Sequence, residues 1–389
     1  MGRPQDIIIG YLKILKEPGV LITDYIFIGG IGAAFVNCGL LMLVSLSFLA
    51  LLRINITGVS IAAIFLMGGF ALFGKNILNI WFIIGGVFLY SRVQKEKFHK
   101  YIYIALFGTS MSPIVSEILF SIDRPLWVRI SFATVVGITI GFVLPPLSTY
   151  LLRVHQGYNL YNIGFTSGMI GTVFVSVFKS FGFSIGSNMF WSTGNNIIFG
   201  IYLFLSFISM IILGYYLNGK SYMNLKSIFS RSGRLVSDFV LQEGFGVTLI
   251  NMGLNGLMAT GYIFVVKGDL NGPTIGGILT VAGFGALGKH IKNIFPIFIG
   301  VFLGGLIKIW NINDPAILLA ALFGTSLAPI SGQFGFKYGI MAGFILSSVV
   351  LNVGILHGGF NLYNTGFAAG LVAAVMLPII EAFRKESER

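Results

Sequence analysis

His155-Gln-Gly-Tyr-Asn159-Leu-Tyr161-Asn162-Ile-Gly164-Phe165 returns 202 positions later as His357-Gly-Gly-Phe-Asn361-Leu-Tyr363-Asn364-Thr-Gly366-Phe367. Upstream, Ala105-Leu-Phe-Gly-Thr109-Ser110-x-x-Pro113-Ile114 matches Ala321-Leu-Phe-Gly-Thr325-Ser326-x-x-Pro329-Ile330. Earlier still, Gly69-Phe70-Ala-Leu-Phe-Gly74-Lys75 matches Gly283-Phe284-Gly-Ala-Leu-Gly288-Lys289, and Asn37-Cys-Gly39-Leu40 matches Asn251-Met-Gly253-Leu254. Gly19-Val-Leu-Ile-Thr-Asp24-Tyr aligns with Gly233-Arg-Leu-Val-Ser-Asp238-Phe. This many matches in one order read as a duplicated chain. The first repeat is expected at 10–182 and the second at 224–383, with 183–223 linking them.

Composition says what the duplicated unit faces. Of 389 residues, 56% are hydrophobic and 10% charged, with mean hydropathy +0.90. Soluble domains carry roughly 25% charged residues, so this surface is expected to face lipid. The 52 glycines and 37 phenylalanines fit close helix packing and lipid contact. A net charge of +12 raises nucleic acid as a partner. However, the basic residues stand between apolar runs, where they set membrane orientation instead, and no nucleic acid is expected. Cys38 is the one cysteine, which excludes an internal disulfide and a thiolate metal site. The first 17 residues lack the basic start and cleavage site of a signal peptide; their Ile7-Ile8-Ile9…Leu12 pattern reads as an interfacial amphipathic helix.

The expected fold is all-α: a polytopic helical membrane protein of two homologous repeats, each of about six apolar segments. Those of the first repeat lie at 24–50, 57–74, 77–92, 101–120, 127–151 and 157–180. The second has 243–266, 272–288, 291–309, 314–331, 336–356 and 359–382. Ile197 to Leu217 is an unpaired linking helix, giving about 13 crossings and an inverted second half. Under that topology 16 of the 25 Lys and Arg residues, Lys289 among them, fall on the cytoplasmic side. If the short glycine-rich segments do not cross, the repeats become parallel and the split levels to 13 against 12, so the positive-inside rule favours inversion. Those short segments also read as re-entrant or broken helices.

Inverted duplications of this kind place solute near the bilayer midplane, at broken helices whose freed backbone groups line a cavity. Phe-Gly-Thr-Ser-x-x-Pro supplies what a break needs: a permissive Gly, a Pro without a donor, and hydroxyls for freed carbonyls. Thr109, Ser110, Thr325 and Ser326 are therefore candidate solute contacts; the plainer reading is a proline kink. Asn159, Tyr161, Asn162, Asn361, Tyr363 and Asn364 group amides and phenols that suit a neutral polar solute or a partly dehydrated ion. Interhelical glue is the alternative. Asn37 and Asn251 are included as repeated intramembrane amides. Lys75 and Lys289 either snorkel to the interface or draw an anion toward a broken helix; an unpaired charge in hydrocarbon costs about 2.5–3.5 kcal/mol on insertion scales. Glu117, whose counterpart is Gln333, and the paired His155 and His357 are proton-coupling candidates, with structural roles equally open. Asp24 and Asp238 read as helix caps. Gly283-Phe-Gly285-Ala-Leu-Gly288 fits the dinucleotide fingerprint but has no βα context, so close packing explains it better.

On these motifs the whole chain resembles an uncharacterised family of bacterial multi-pass membrane proteins, a domain of unknown function. More distantly, Gly30-Ile-Gly32-Ala-Ala-Phe-Val-Asn37-Cys-Gly39-Leu40 and Gly244-Phe-Gly246-Val-Thr-Leu-Ile-Asn251-Met-Gly253-Leu254 look like the urea-transporter repeat motif. The proline of that motif is missing here. What the likeness implies is an architecture, two inverted halves around a narrow pore and a homo-oligomer, and no substrate.

The expected function is a multi-pass transporter or channel of the cytoplasmic membrane for a small polar or anionic solute. Its partners are that solute and the lipid bilayer. No cofactor and no metal are expected: the histidines are isolated, and no Walker motif marks a self-powered pump. The rivals are an intramembrane enzyme, which lacks a nucleophile–base or paired-carboxylate pattern, and a non-transporting assembly subunit.

Overall fold

The computed structural model describes residues 3–18, 22–183, 186 and 189–387. Residues 19–21 of the first repeat match and Arg389 of the loop charges lie outside them. The described chain is all helical. It begins with α1 (Pro4–Lys16), α2 (Tyr25–Leu51), α3 (Gly58–Phe70), α4 (Trp81–Val93), α5 (Ile102–Gly108) and α6 (Pro113–Phe120). There follow α7 (Leu126–Leu151), α8 (Asn162–Ser180), α9 (Asn196–Leu217), α10 (Leu225–Ser230), α11 (Phe239–Glu243) and α12 (Phe245–Val265). The chain closes with α13 (Gly272–Gly283), α14 (Ile291–Ile307), α15 (Pro315–Gly324), α16 (Ala328–Phe334), α17 (Phe336–Val353) and α18 (Asn364–Ser387).

A hydrocarbon core about 30 Å thick takes about 20 helical residues to cross. By length and hydropathy α2, α7, α8, α9, α12, the α15–α16 run, α17 and α18 qualify as spans among the described residues. The α5–α6 pair, bent by 47° at the Thr109–Met111 turn, makes a ninth. The expectation of about 13 crossings is therefore corrected to eight or nine. Helices α3, α4, α13 and α14 are too short. For α3 and α13 the apolarity comes from burial in protein: every residue of α3 is buried except Val59 and Phe65, and every residue of α13 except Leu279. By contrast α9 keeps 22% of its apolar window buried and presents the rest outward.

The two glycine-rich helices lie against each other at the centre. A Cβ on Gly69 would come 2.6 Å from the Gly276 carbonyl, and one on Gly276 would come 2.4 Å from the Gly69 carbonyl. No residue larger than glycine fits that approach. Two aspartates fix the ends of the pair. Asp24, the N-cap of α2, accepts from Ile26 N (2.9 Å), from Gly272 N at the start of α13 (3.1 Å), and from the Ser192 amide and hydroxyl. Asp238, which caps α11, accepts from Leu241 N and from Gly58 N at the start of α3 (2.9 Å). As caps they behave as expected; the bonds to segments 180 and 248 residues away were not legible in sequence. Together they put the start of α2 beside the end of α12, and the start of the α11–α12 unit beside the end of α2. These two long helices run in opposite directions. Each carries a glycine break near its start, at Gly30 (φ 81°) and Gly244 (φ 101°).

Candidate functional site

The site grows from the turn that ends each glycine-rich helix. After α3 the chain closes on itself with Lys75 N donating to Phe70 O (3.1 Å), through Gly74 at φ 142°. After α13, Lys289 N donates to Phe284 O (3.0 Å), through Gly288 at φ 109°. Amide side chains tie both turns down. Asn37 Nδ2 donates to Ala71 O and Lys75 O, each at 2.7 Å, while Asn251 Nδ2 donates to Gly285 O and Lys289 O, each at 2.8 Å. Asn255, unremarked in sequence, adds a third bond to Lys289 O. Asn37 and Asn251 thus hold carbonyls that the helix end leaves unpaired. Their donors are committed to the backbone.

So fastened, both turns aim a lysine into the protein. Lys75 and Lys289 are each 0% exposed. Neither snorkels, and Lys289 does not belong to a cytoplasmic loop. Among the described residues the ion pairs are Glu96–Lys100 and Glu243–Arg231, both away from the two lysines. Lys289 Nζ lies 2.6 Å from Tyr161 Oη and 2.8 Å from Thr325 Oγ1, and stands over the rings of Tyr161 (4.6 Å) and Phe284 (5.2 Å). Lys75 Nζ stands over Phe70 (4.9 Å) and has Met67 Sδ at 3.5 Å; among the described residues no oxygen lies within hydrogen-bond range of it. Ring faces favour cations, which offsets part of the cost of burying them.

Tyr161 and Tyr363 meet between the lysines, ring centroids 4.9 Å apart. Tyr363 packs edge-on against Phe70 (4.7 Å) and Tyr161 against Phe284 (4.8 Å). A continuous row of four rings, Phe70–Tyr363–Tyr161–Phe284, therefore has a lysine at each end. The repeated Asn-Leu-Tyr motif positions the tyrosines. Asn159 Nδ2 donates to Gly366 O (2.9 Å) and Asn361 Nδ2 to Gly164 O (3.0 Å). Their Oδ1 atoms accept from Tyr161 N and Tyr363 N. Leu160 N donates to Ser326 O, and Leu362 N to Ser110 O. These are reciprocal clamps between distant parts of the chain.

His155 and His357 belong to the same scaffold. Nδ1 of each accepts from the amide N of Asn159 or Asn361 (3.4 Å), so the proton sits on Nε2, 3.0 or 2.9 Å from Oδ1 of Asn162 or Asn364. Asn162 and Asn364 donate in turn to Ser148 O and Val350 O. Both imidazole nitrogens are occupied, which is the geometry of a fixed turn. Thr109 and Thr325 hydroxyls donate back to Leu106 O and Leu322 O, each 2.6 Å, as a helix break requires. Ser110 Oγ pairs with Ser167 Oγ, while Ser326 Oγ is buried without a partner. Glu117 stands apart, with Ser121 and Asp123 in a separate cavity of about 260 Å³.

Access to the ring row differs at its two ends. On the Lys289 side a cavity of about 130 Å³ reaches Tyr161, Phe284 and Tyr363, past Phe107 and Leu287, with the exposed Val236 at its rim. On the Lys75 side the buried Phe73 packs against Phe70 (5.2 Å) and Phe323 (6.2 Å), and Phe70 against Phe323 (5.5 Å), filling the space with rings. Of this set, Phe70, Phe284, Phe73 and Met67 were missed as site residues. The first three stand in the repeated glycine motif, where composition reads them as packing. The glycines of the fingerprint-like stretch do pack closely: Gly283 faces Phe65, Gly285 faces Met252, and Gly288 meets Gly233.

No curated protein and no solved structure matches the chain. One family model does, over residues 3–180 and 217–382, which is most of its length. The chain belongs to the family described as protein of unknown function (DUF1576).

Proposed function

We propose that the chain is a transporter or channel that moves a small polar or anionic solute through the contact between two inverted, duplicated halves. The halves are 10–182 and 224–383, with the 183–223 linker and its helix α9 between them. Inversion is supported by the opposed directions of α2 and α12, whose sequences match, and by reciprocal bonds such as Asn159–Gly366 and Asn361–Gly164. The membrane is the cytoplasmic one, with the Asn218–Asp238 loop inside, in keeping with its Lys220, Lys226, Arg231 and Arg234.

One observation carries the reading: two fully buried lysines, without carboxylate partners among the described residues, end a buried aromatic row. Intramembrane charge is costly and marks solute or ion pathways. The one-sided cavity fits an alternating path, open toward Tyr161 and Phe284 and with Phe73 packed against Phe70 on the other side. The urea-transporter likeness is not needed here, because Asn37 and Asn251 serve as turn clamps. The test is uptake by purified protein in liposomes across a panel of small neutral, anionic and cationic solutes, with and without a proton gradient. Saturable uptake of one member, absent from empty vesicles, is expected. Impermeability to the whole panel contradicts transport.

A further inference from the structure

We propose that the solute is a small monovalent oxyanion, bound at the Tyr161 hydroxyl under the charge of Lys289, with Lys75 as the second station. The passage from one station to the other rests on the transport reading above; the binding site does not.

Hydrogen-bond valence argues for the first station. An ammonium has three N–H donors. Those of Lys289 reach Tyr161 Oη at 2.6 Å and Thr325 Oγ1 at 2.8 Å, which leaves one. Thr325 gives its own hydrogen to Leu322 O, so toward Lys289 it is an acceptor. Tyr161 accepts from Lys289, its hydroxyl stands beside that of Thr325, and its side chain lines the open cavity. The hydroxyl that Lys289 polarises thus belongs to a side chain on the cavity wall, and an anionic oxygen in the cavity would draw on that charge.

Charge selects the class. With both lysines protonated, a cation entering the row meets an ammonium at each end, and a neutral amide leaves both charges uncompensated. Lys75 makes the stronger demand. Its nearest acceptor is the Met67 thioether, a weak one, although the side chain is fully buried. An oxyanion arriving from Tyr363 would supply the oxygens missing there. The cavity beside Tyr161, about 130 Å³, takes small oxyanions such as nitrate, formate or acetate, which serve as probes.

The test uses the purified full-length protein in detergent, heated at constant ionic strength with gluconate replaced by nitrate or formate. Urea and ammonium serve as neutral and cationic probes. We expect nitrate or formate to raise the Tm of the wild type, with no rise from urea or ammonium. Tyr161→Phe should weaken the effect roughly 10-fold, the range of one hydrogen bond to a charged group, and Lys289→Met should abolish it. Tyr161→Phe keeps the ring row, so it carries the test even if Lys289→Met does not fold. Protection by urea or ammonium in place of anions, or full anion protection in Tyr161→Phe and Lys289→Met, overturns the proposal. Anion protection without anion flux in liposomes leaves this site standing and removes the transport reading. Saturable flux of a neutral solute, unaffected by nitrate, does the opposite.

Discussion

The two ends of the ring row are built from matching sequence and come out unequal. At one end Lys289 has two oxygen partners, one of which, Tyr161, lines a cavity; at the other Lys75 has a thioether and a plug of phenylalanines. Small substitutions make the difference. Where the first half has Phe73, the second has Leu287, which leaves room for the cavity. Where the first half has Met67, the second has Val281, which is too short to approach the amine. The break after the Gly-Thr-Ser motif also differs: the α5–α6 pair bends by 47°, whereas Pro315–Phe334 passes as one span. Under the proposed duplication the two ends are two states of one site, which the proposed transport cycle would exchange.

The largest expected effect is on access. With the buried Cys38 replaced by Ala, a cysteine at Val236 should react with a water-soluble maleimide at least about 100-fold faster than one at Phe73. Val236 is 82% exposed and Phe73 0%, and reaction at a buried site waits for opening. Equal rates would erase the contrast between the ends. Next comes the hydroxyl pair. Tyr161→Phe should lower solute affinity roughly 10-fold, and Tyr363→Phe by no more than about 3-fold, since Lys289 bonds Tyr161 directly. Measured as competition for uptake, a reversed order would move the primary station to Lys75. The clamps should show the smallest asymmetry. Asn159→Ala and Asn361→Ala each remove a buried bond to the partner segment, and each should cost about 1–2 kcal/mol in unfolding free energy, with similar values for the two. A loss of transport with no loss of stability would return these asparagines to solute contact.

Much of this architecture is written in composition and repetition, since a chain with 10% charged residues has to face lipid and motifs that recur in order have to build recurring turns. The number of crossings is not. Gly58–Phe70 is equally apolar whether lipid or protein surrounds it, and only the packing of Gly69 on Gly276 shows which. The lysines mislead for a similar reason: a lysine at a segment end snorkels by default, and the turn that points it inward depends on Asn37 and Asn251, 38 residues upstream in each case. Asn159 and Asn361 stand out in sequence as a repeated pair. Their partners lie 207 and 197 residues away, beyond any local pattern, so glue and solute contact look alike in sequence.

The central claim is that a solute crosses between two buried, unpaired lysines, and it is tested most directly by nitrate flux in liposomes carrying wild type, Lys75→Met, Lys289→Met or both changes. Nitrate uptake is expected to saturate in the wild type and to fall at least about 10-fold in each single variant. The double variant should be indistinguishable from empty vesicles, while its folded yield stays near that of the wild type, because removing an unpaired buried charge relieves a desolvation cost. Wild-type flux in the folded double variant would contradict the account.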